Sequence, residues 1–265
     1  MKPLKSFRKY VKYNFKLAGT IVYDRMVGVS DVSGLKVPPP RLRHRVHGAL
    51  NAKSFLDVGR ICATDIARLL SSHGREFNTF HRVLDFGCGC GRTLRFFADH
   101  LPTQQLYGTD IDATAIGWCQ RNLPDLAEWN VNEMQPPTRY VDNSFDLIYA
   151  ISVFTHIDET AQFAWLNELN RIAKPGCILL LTVHGDFYHR RLADAEKAVL
   201  AEKGLLYCVG QTGRWKVDGL PDAYQTAFHT KKYVEREWSR YFKVLEHLDQ
   251  GMAGGQDVVV LVKRP

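Results

Sequence analysis

Residues 82–91 read Arg82-Val83-Leu84-Asp85-Phe86-Gly87-Cys88-Gly89-Cys90-Gly91. An apolar strand runs into an acid and then three glycines at alternating positions. Beyond them Leu94, Phe97, Ala98 and Leu101 fall at i, i+3, i+4 and i+7, which predicts a helix to about His100, stopped by Pro102. Strand, glycine turn and helix build a nucleotide crevice at the carboxyl end of the first strand of an α/β sheet. The acid selects the ligand. A dinucleotide loop follows G-x-G-x-x-G, so that bare backbone holds a pyrophosphate. Here the third glycine of that pattern would fall on Arg92, and Asp85 would set a negative charge beside two phosphates. A carboxylate at this position suits a ligand that carries a cation, such as an amino-acid ammonium.

Outward from this stretch the chain alternates strand and helix, the mark of a parallel sheet. Strands are predicted at 82–86, 105–109, 127–132, 145–150 and 177–183, with helices at 112–122 and 159–173. Pro124 closes the first of these helices and Lys174-Pro175-Gly176 the second. Residues 186–229 break the alternation, with one helix at about 190–203 and then a glycine- and aromatic-rich stretch. Thr230 caps a last helix that turns Val234, Trp238 and Tyr241 inward. Strands 242–248 and 257–263, joined through Gly251-Met252-Ala253-Gly254-Gly255, form an antiparallel pair. The expectation is an α/β fold with a mostly parallel seven-stranded sheet that ends in a C-terminal antiparallel hairpin.

The 265 residues suffice for one α/β domain with insertions, and 45% hydrophobic with 24% charged residues is ordinary for a globular protein. No run of 18 apolar residues occurs, so no spanning helix is expected, and no secretory signal is read at the N-terminus. Six cysteines (62, 88, 90, 119, 177, 208) are scattered without a CxxC pair, so no metal site is expected and the chain reads as reduced and cytoplasmic.

The formal charge is +7, and its excess gathers at the N-terminus in Lys2, Lys5, Arg8, Lys9, Lys12 and Lys16. Leu4, Phe7, Val11 and Phe15 recur among them near helical spacing. Residues 1–18 therefore read either as an amphipathic helix on an anionic membrane or partner, or as a helix packing one face on the domain and solvating the other. Val37-Pro38-Pro39-Pro40 reads as an extended stretch or linker before the basic cluster Arg41, Arg43, His44, Arg45. Asn51 or Ser54 caps a helix over 51–72.

Asp85 to Gly91 matches, without a gap, D/E-x-G-x-G-x-G, and the chain resembles the class I S-adenosylmethionine-dependent methyltransferases over roughly residues 50–265. The resemblance implies a Rossmann-like three-layer sandwich, S-adenosylmethionine as cofactor, and a domain at 51–265 behind a basic extension at 1–50, with 186–229 as a substrate or lid insertion. It implies that Asp85, Gly87, Cys88 and Gly89 surround the cofactor and that Asp110, with Ile111, ends strand two at the ribose. An acid usually follows strand three toward the adenine amine. Here Asn132 takes that place, with Glu133 as runner-up. Asp142-Asn143-Ser144-Phe145-Asp146 matches the stretch before strand four, where Asp146 has a structural role, and Ala150 to Phe154, Ser152 among them, line the methionine part.

A methyl sulfonium carries its own activation, so the protein mainly aligns a nucleophile and excludes water. An alcohol nucleophile also needs a base, and His156, just beyond strand four, is the candidate. His184, Tyr224 and His229 are candidate acceptor contacts, with Trp215 beside them. The N-P-P-[YF] box of amino-methylating enzymes is absent, as is a P-C or T-C nucleophile. The expected acceptor is a small molecule or glycan, methylated on oxygen. Nucleic acid is not expected as a partner, because no recognised nucleic-acid module flanks the domain. Against this stand an RNA or protein methyltransferase, which the charge favours, and a non-catalytic S-adenosylmethionine-binding module.

Overall fold

The computed structural model describes residues 2–29, 34–100, 104–210, 212, 216 and 219–265, the side chains of 2–6 excepted. Leu101, Pro102 and Trp215 lie outside the described residues. Helices α1 (Lys2–Val27), α2 (Pro40–His47) and α3 (Ala52–Ser72) precede the sheet. Asn51 caps α3, its side chain accepting from the Ser54 N–H at 2.8 Å. The chain then runs β1 (Arg82–Phe86), β2 (Gln105–Asp110), α4 (Ala113–Asn122), β3 (Glu128–Val131), β4 (Phe145–Ala150), α5 (Glu159–Ile172) and β5 (Ala173–Val183). There follow α6 (Asp186–His189), α7 (Asp194–Lys203), β6 (Leu205–Cys208), β7 (Thr226–His229), α8 (Lys231–Trp238), β8 (Lys243–Met252) and β9 (Gln256–Val262).

The seven-stranded sheet is ordered β3-β2-β1-β4-β5-β9-β8. β1 to β5 pair in parallel, and β9 runs antiparallel to both β5 and β8. This is the Rossmann-like architecture that the sequence implies. The strands read as nearly continuous apolar runs because both faces are covered. Val83, Leu147, Tyr149, Leu180 and Val260 point into one core, shared with Phe55, Ile66 and Ile116 of the helices on that side. Leu84, Ile148, Leu179, Leu181 and Leu261 point into the other, against Trp165, Leu169, Val234 and Trp238. Period-two alternation along each strand divides the side chains between the two cores.

Three local readings differ from the structure. The stretch after the glycines is a 3₁₀ segment over Leu94–His100, not an α-helix. Buried Arg95 directs its Nε at the Gly91 carbonyl (3.3 Å), the same oxygen its own N–H reaches at 3.4 Å, while Phe96 N–H bonds Thr93 three residues back. Side chain and backbone share one acceptor, and the tighter i+3 pattern results. The helix expected at about 190–203 starts later, as α7, where extended Ala193 donates its N–H to Glu196, and the short α6 precedes it outside the expected span. The proline run does not stay extended throughout, for Pro40 opens α2. Pro39 is extended (φ −61°, ψ 156°), and proline fits the first helical position, where an N–H would be unpaired anyway. The irregular stretch before α8 also contains a separate two-stranded antiparallel sheet, β6–β7. Among the described residues no helix is long and apolar enough to cross a membrane.

Candidate active site

At the carboxyl ends of β1, β2, β3 and β4 the sheet opens into a cavity of about 610 Å³, within the range of small-molecule sites. The loop after β1 forms its floor. Gly87 and Gly89 sit at φ +80° and +55°, a region that L side chains rarely adopt. They are also spatially confined. A Cβ at Gly87 would lie 2.2 Å from Val153 Cγ2, and one at Gly89 2.4 Å from Val46 Cγ2. The loop is held by the end of β2. Asp110 accepts from the Gly89 N–H at 2.7 Å and from the Asp112 N–H at 2.8 Å. Asp112 in turn caps α4, accepting from the N–H groups of Thr114 (2.9 Å) and Ala115 (3.2 Å).

Of the residues anticipated around the cofactor, Asp85, Gly87, Cys88, Gly89, Asp110, Ile111, Asn132 and Ser152 all line this cavity. Ala150 is fully buried at the end of β4, and its successors Ile151, Ser152 and Val153 reach the cavity instead. Asn132 is already engaged, its Oδ1 accepting from Thr109 Oγ1 at 3.0 Å and its Nδ2 donating to the Glu133 carbonyl at 2.8 Å. Ser152 sits at φ +62° and is fixed from three sides. Its N–H donates to Thr182 (2.8 Å), its hydroxyl faces Gln256 Nε2 (2.5 Å), and its carbonyl accepts from Tyr224 Oη (2.8 Å). Asp146 accepts from the N–H groups of His81 (3.1 Å) and Arg82 (2.8 Å), away from the cavity.

Burial dominates the electrostatics. It pushes the Asp85 carboxyl up to about 8, and Asp110 adds to the rise while Tyr149 and Arg92 oppose it. Burial also raises Asp110, against the N–H groups that donate to it. A desolvated carboxylate favours a bound cation.

Of the anticipated acceptor and base residues, His156 and Tyr224 line the cavity, whereas His184 and His229 do not. The His156 and Tyr224 rings stack at 4.5 Å and 24°. His156 Nδ1 bonds the Gln225 backbone carbonyl. A carbonyl only accepts, so Nδ1 carries the proton and the lone pair belongs to Nε2. His184 donates through Nδ1 to the Ala227 carbonyl (3.1 Å), and burial lowers its pKa to about 4. His229 is fully buried against Gln162 Oε1 (3.0 Å), and burial lowers it to about 3. Both are neutral packing groups at neutral pH, their rings set between the strand ends.

Other cavity residues were not singled out from sequence as site residues. His44, Arg45, Val46 and His47 come from α2, and Arg92, Met134 and Lys216 from three further segments. Arg45 donates to both Asp112 oxygens, at 3.0 and 2.7 Å, and so ties α2 to the end of the glycine-loop wall. The basic cluster after the prolines was a signal for Arg45. For Lys216, whose ammonium donates to the Pro221 (2.6 Å) and Tyr224 (3.1 Å) carbonyls, spacing offered none.

The geometry fits a ligand that joins a nucleoside to a cationic amino acid. Bare backbone at Gly87 and Gly89 admits close approach, Asp85 offers a buried acid, and Asp110 ends β2 beside the loop. Residues 84–179 match the methyltransferase-domain family profile. Over 150 residues the chain is 26% identical to trans-aconitate 2-methyltransferase of Variovorax paradoxus, covering 53% of this chain and 52% of that protein. Over 135 residues it is 27% identical to tRNA N(3)-cytidine methyltransferase METTL2 of Bos taurus, covering 46% of this chain and 34% of that protein. The chain thus spans about a third to a half of the length of these curated relatives. Among solved structures, Streptomyces venezuelae DesVI superposes with a TM-score of 0.53 at 18% identity, covering 78% of this chain and 92% of that one. A S-adenosylmethionine-dependent methyltransferase from Clostridium acetobutylicum gives a TM-score of 0.53 at 10% identity with the same coverage. These two likenesses concern the fold. Residues 84–179 thus match a methyltransferase domain, set within a Rossmann-like fold.

Proposed function

We propose that this domain binds S-adenosylmethionine on its glycine-loop wall and methylates an oxygen of a small-molecule or glycan acceptor, with His156 as general base. When bound, the cofactor supplies an electrophilic methyl group on a sulfonium. Asp85 would take its ammonium, Gly87 and Gly89 would admit its backbone-facing edge, and Asp110 would accept from its ribose hydroxyls. The remaining task is to orient the acceptor and remove its proton. The observation that supports the reading is the place of His156, which lines the cavity with its Nδ1 bonded to the Gln225 carbonyl, so that in the neutral ring Nε2 would be the basic nitrogen. Tyr224 stacked on the ring fixes its plane.

His156→Gln tests this. Calorimetry should show S-adenosylmethionine binding within about twofold of wild type, because the substitution leaves the glycine loop intact. Turnover, followed with a labelled methyl group on the acceptor found by screening, should fall by about 10²- to 10⁴-fold. Near wild-type turnover would remove the base from the mechanism.

A second reading is methylation of RNA, favoured by the match to METTL2, a tRNA methyltransferase, and by the net charge of +7. It requires tRNA binding that weakens steeply with salt, since each neutralised phosphate adds about one unit to the salt slope. Salt-insensitive methyl transfer to a metabolite would exclude it.

A further inference from the structure

We propose that α1 docks this protein on an anionic lipid bilayer. The inference does not rest on methyl transfer. α1 runs 26 residues from Lys2 to Val27, and its surface divides into three strips. Tyr13, Leu17, Thr20 and Asp24 are half-buried on one strip, which meets α2. The Tyr13 and His44 rings lie 4.6 Å apart, and Asp24 pairs with buried Arg43 at 2.5 Å. On a second strip Val11, Phe15, Ala18, Val22 and Met26, spaced by three or four residues, share a face of the helix. All five are exposed, Phe15 at 83% and Met26 at 80%. Arg8, Lys12 and Lys16, also exposed, run beside that row. No acid occurs before Asp24, and Asp24 faces Arg43.

An apolar row of this length, flanked on one side by cations, matches the two layers of an anionic bilayer surface. Phe15, Val22 and Met26 would enter the acyl boundary while the lysines reach lipid phosphates on their flexible stems. A nucleic acid would use the cations and leave the apolar row in water, so the apolar row decides for lipid. The attachment has a consequence for the cavity. Arg43, which α1 holds, also donates to the Pro38 (2.9 Å) and Leu50 (2.8 Å) carbonyls and so pins both ends of α2. α2 presents His44, Arg45 and Val46 to the cavity. A surface that holds α1 therefore holds one cavity wall beside it.

The test is co-sedimentation of the full chain with vesicles of phosphatidylcholine, with and without about 30% phosphatidylserine. Partitioning should be at least tenfold stronger on the anionic vesicles. It should fall at least tenfold in Phe15→Glu/Met26→Glu, whose replaced side chains are exposed, so that circular dichroism and melting stay as in wild type. Arg8→Gln/Lys12→Gln/Lys16→Gln should weaken it by about fivefold per cation. Four outcomes would overturn the proposal. The wild-type chain fails to bind anionic vesicles, or Phe15→Glu/Met26→Glu binds as wild type does. Light scattering finds a dimer that this variant dissociates, so that a second copy covers the row. Or the charge variant loses tRNA binding while neither it nor the wild-type chain binds lipid.

Discussion

The cavity has two walls of different origin. One consists of the turns that leave β1, β2, β3 and β4, so each of its residues follows its own strand and is placed by the sheet register. Asp85 lies opposite Gly108 and Tyr149 in that register, and Asp110 opposite Val131. The other wall comes from α2 and from Gly210, Lys216, Leu220 and residues 224–226, none of which belongs to the seven-stranded sheet. α2 is joined to the first wall by side chains, through Arg45 on Asp112 and Val46 over Gly89, and the stretch at Tyr224 by its hydroxyl on the Ser152 carbonyl together with the Gln225 N–H on the His156 carbonyl (2.9 Å). A wall fixed by backbone register tolerates little change, whereas one fixed by side-chain contacts is tunable residue by residue. Substitutions on the first should abolish ligand binding, and those on the second should grade it.

The largest effect is therefore expected at Gly87. Alanine there must occupy φ near +80° and set its Cβ against Val153. Gly87→Ala should weaken S-adenosylmethionine binding by more than about 100-fold and lower the melting temperature by several degrees, since such strain costs about 1–3 kcal/mol. Calorimetry and thermal melts check both. A variant that binds within threefold of wild type would show that the loop is not confined as described.

Next comes the support behind the second wall, where the buried ring of His229 touches Gln162. Burial lowers its pKa to about 3, below the ordinary 6.5. As pH falls from 6.5 toward 3, the unfolded chain takes up a proton that the folded protein refuses, so stability is lost across that window and is intact above it. Between pH 7 and 5 this one residue should cost about 2 kcal/mol of unfolding free energy. His229→Gln should flatten that part of the acid limb in urea titrations at the two pH values. An unchanged acid limb would show that His229 does not sense the proton.

A smaller change is expected at the seam between the walls. Arg45→Ala removes a pair whose side chains are 14% and 10% exposed, yet leaves Asp112 capping α4. The fold should hold while cofactor affinity drops about tenfold, as for loss of one charge-assisted contact. Equal affinity would mean that α2 covers the cavity without shaping it.

The same division explains what was legible in the sequence. Val83-Leu84-Asp85-Phe86 followed by alternating glycines, and the apolar runs at 145–150 and 177–183, carry their fold in local pattern, because a strand buried on both faces has few alternatives. Asp112 as the α4 cap and Thr230 as the α8 cap were likewise readable from residue type and position. Arg95 was not, because its competition for the Gly91 carbonyl appears only once α3 encloses it. His184 looked like an acceptor contact from its place after strand five and His229 from the irregular segment before the last helix, and both rings are instead buried. Lys216 and Val46 reach the cavity through contacts between segments distant in sequence, which no spacing rule encodes.

The finest discrimination between the walls is a proton at Asp85. Its carboxyl is raised from 3.8 to about 8 chiefly by burial, so two measurements should move in opposite directions. Stability should fall as pH rises from 4 to 8, because the folded state keeps a proton that the unfolded chain has released. Affinity for a ligand bearing an ammonium should rise over the upper part of the same range, because only the carboxylate pairs with it. Between pH 7 and 8 the gain should be about fivefold, with proton release on binding at pH 7 visible in calorimetry across buffers of different ionisation enthalpy. Asp85→Asn should abolish both dependences while retaining the shape of the loop. If affinity were flat with pH and no proton were released, the ammonium would lie elsewhere, and Asp112, held by Arg45 at the seam between the walls, would be where to look for it.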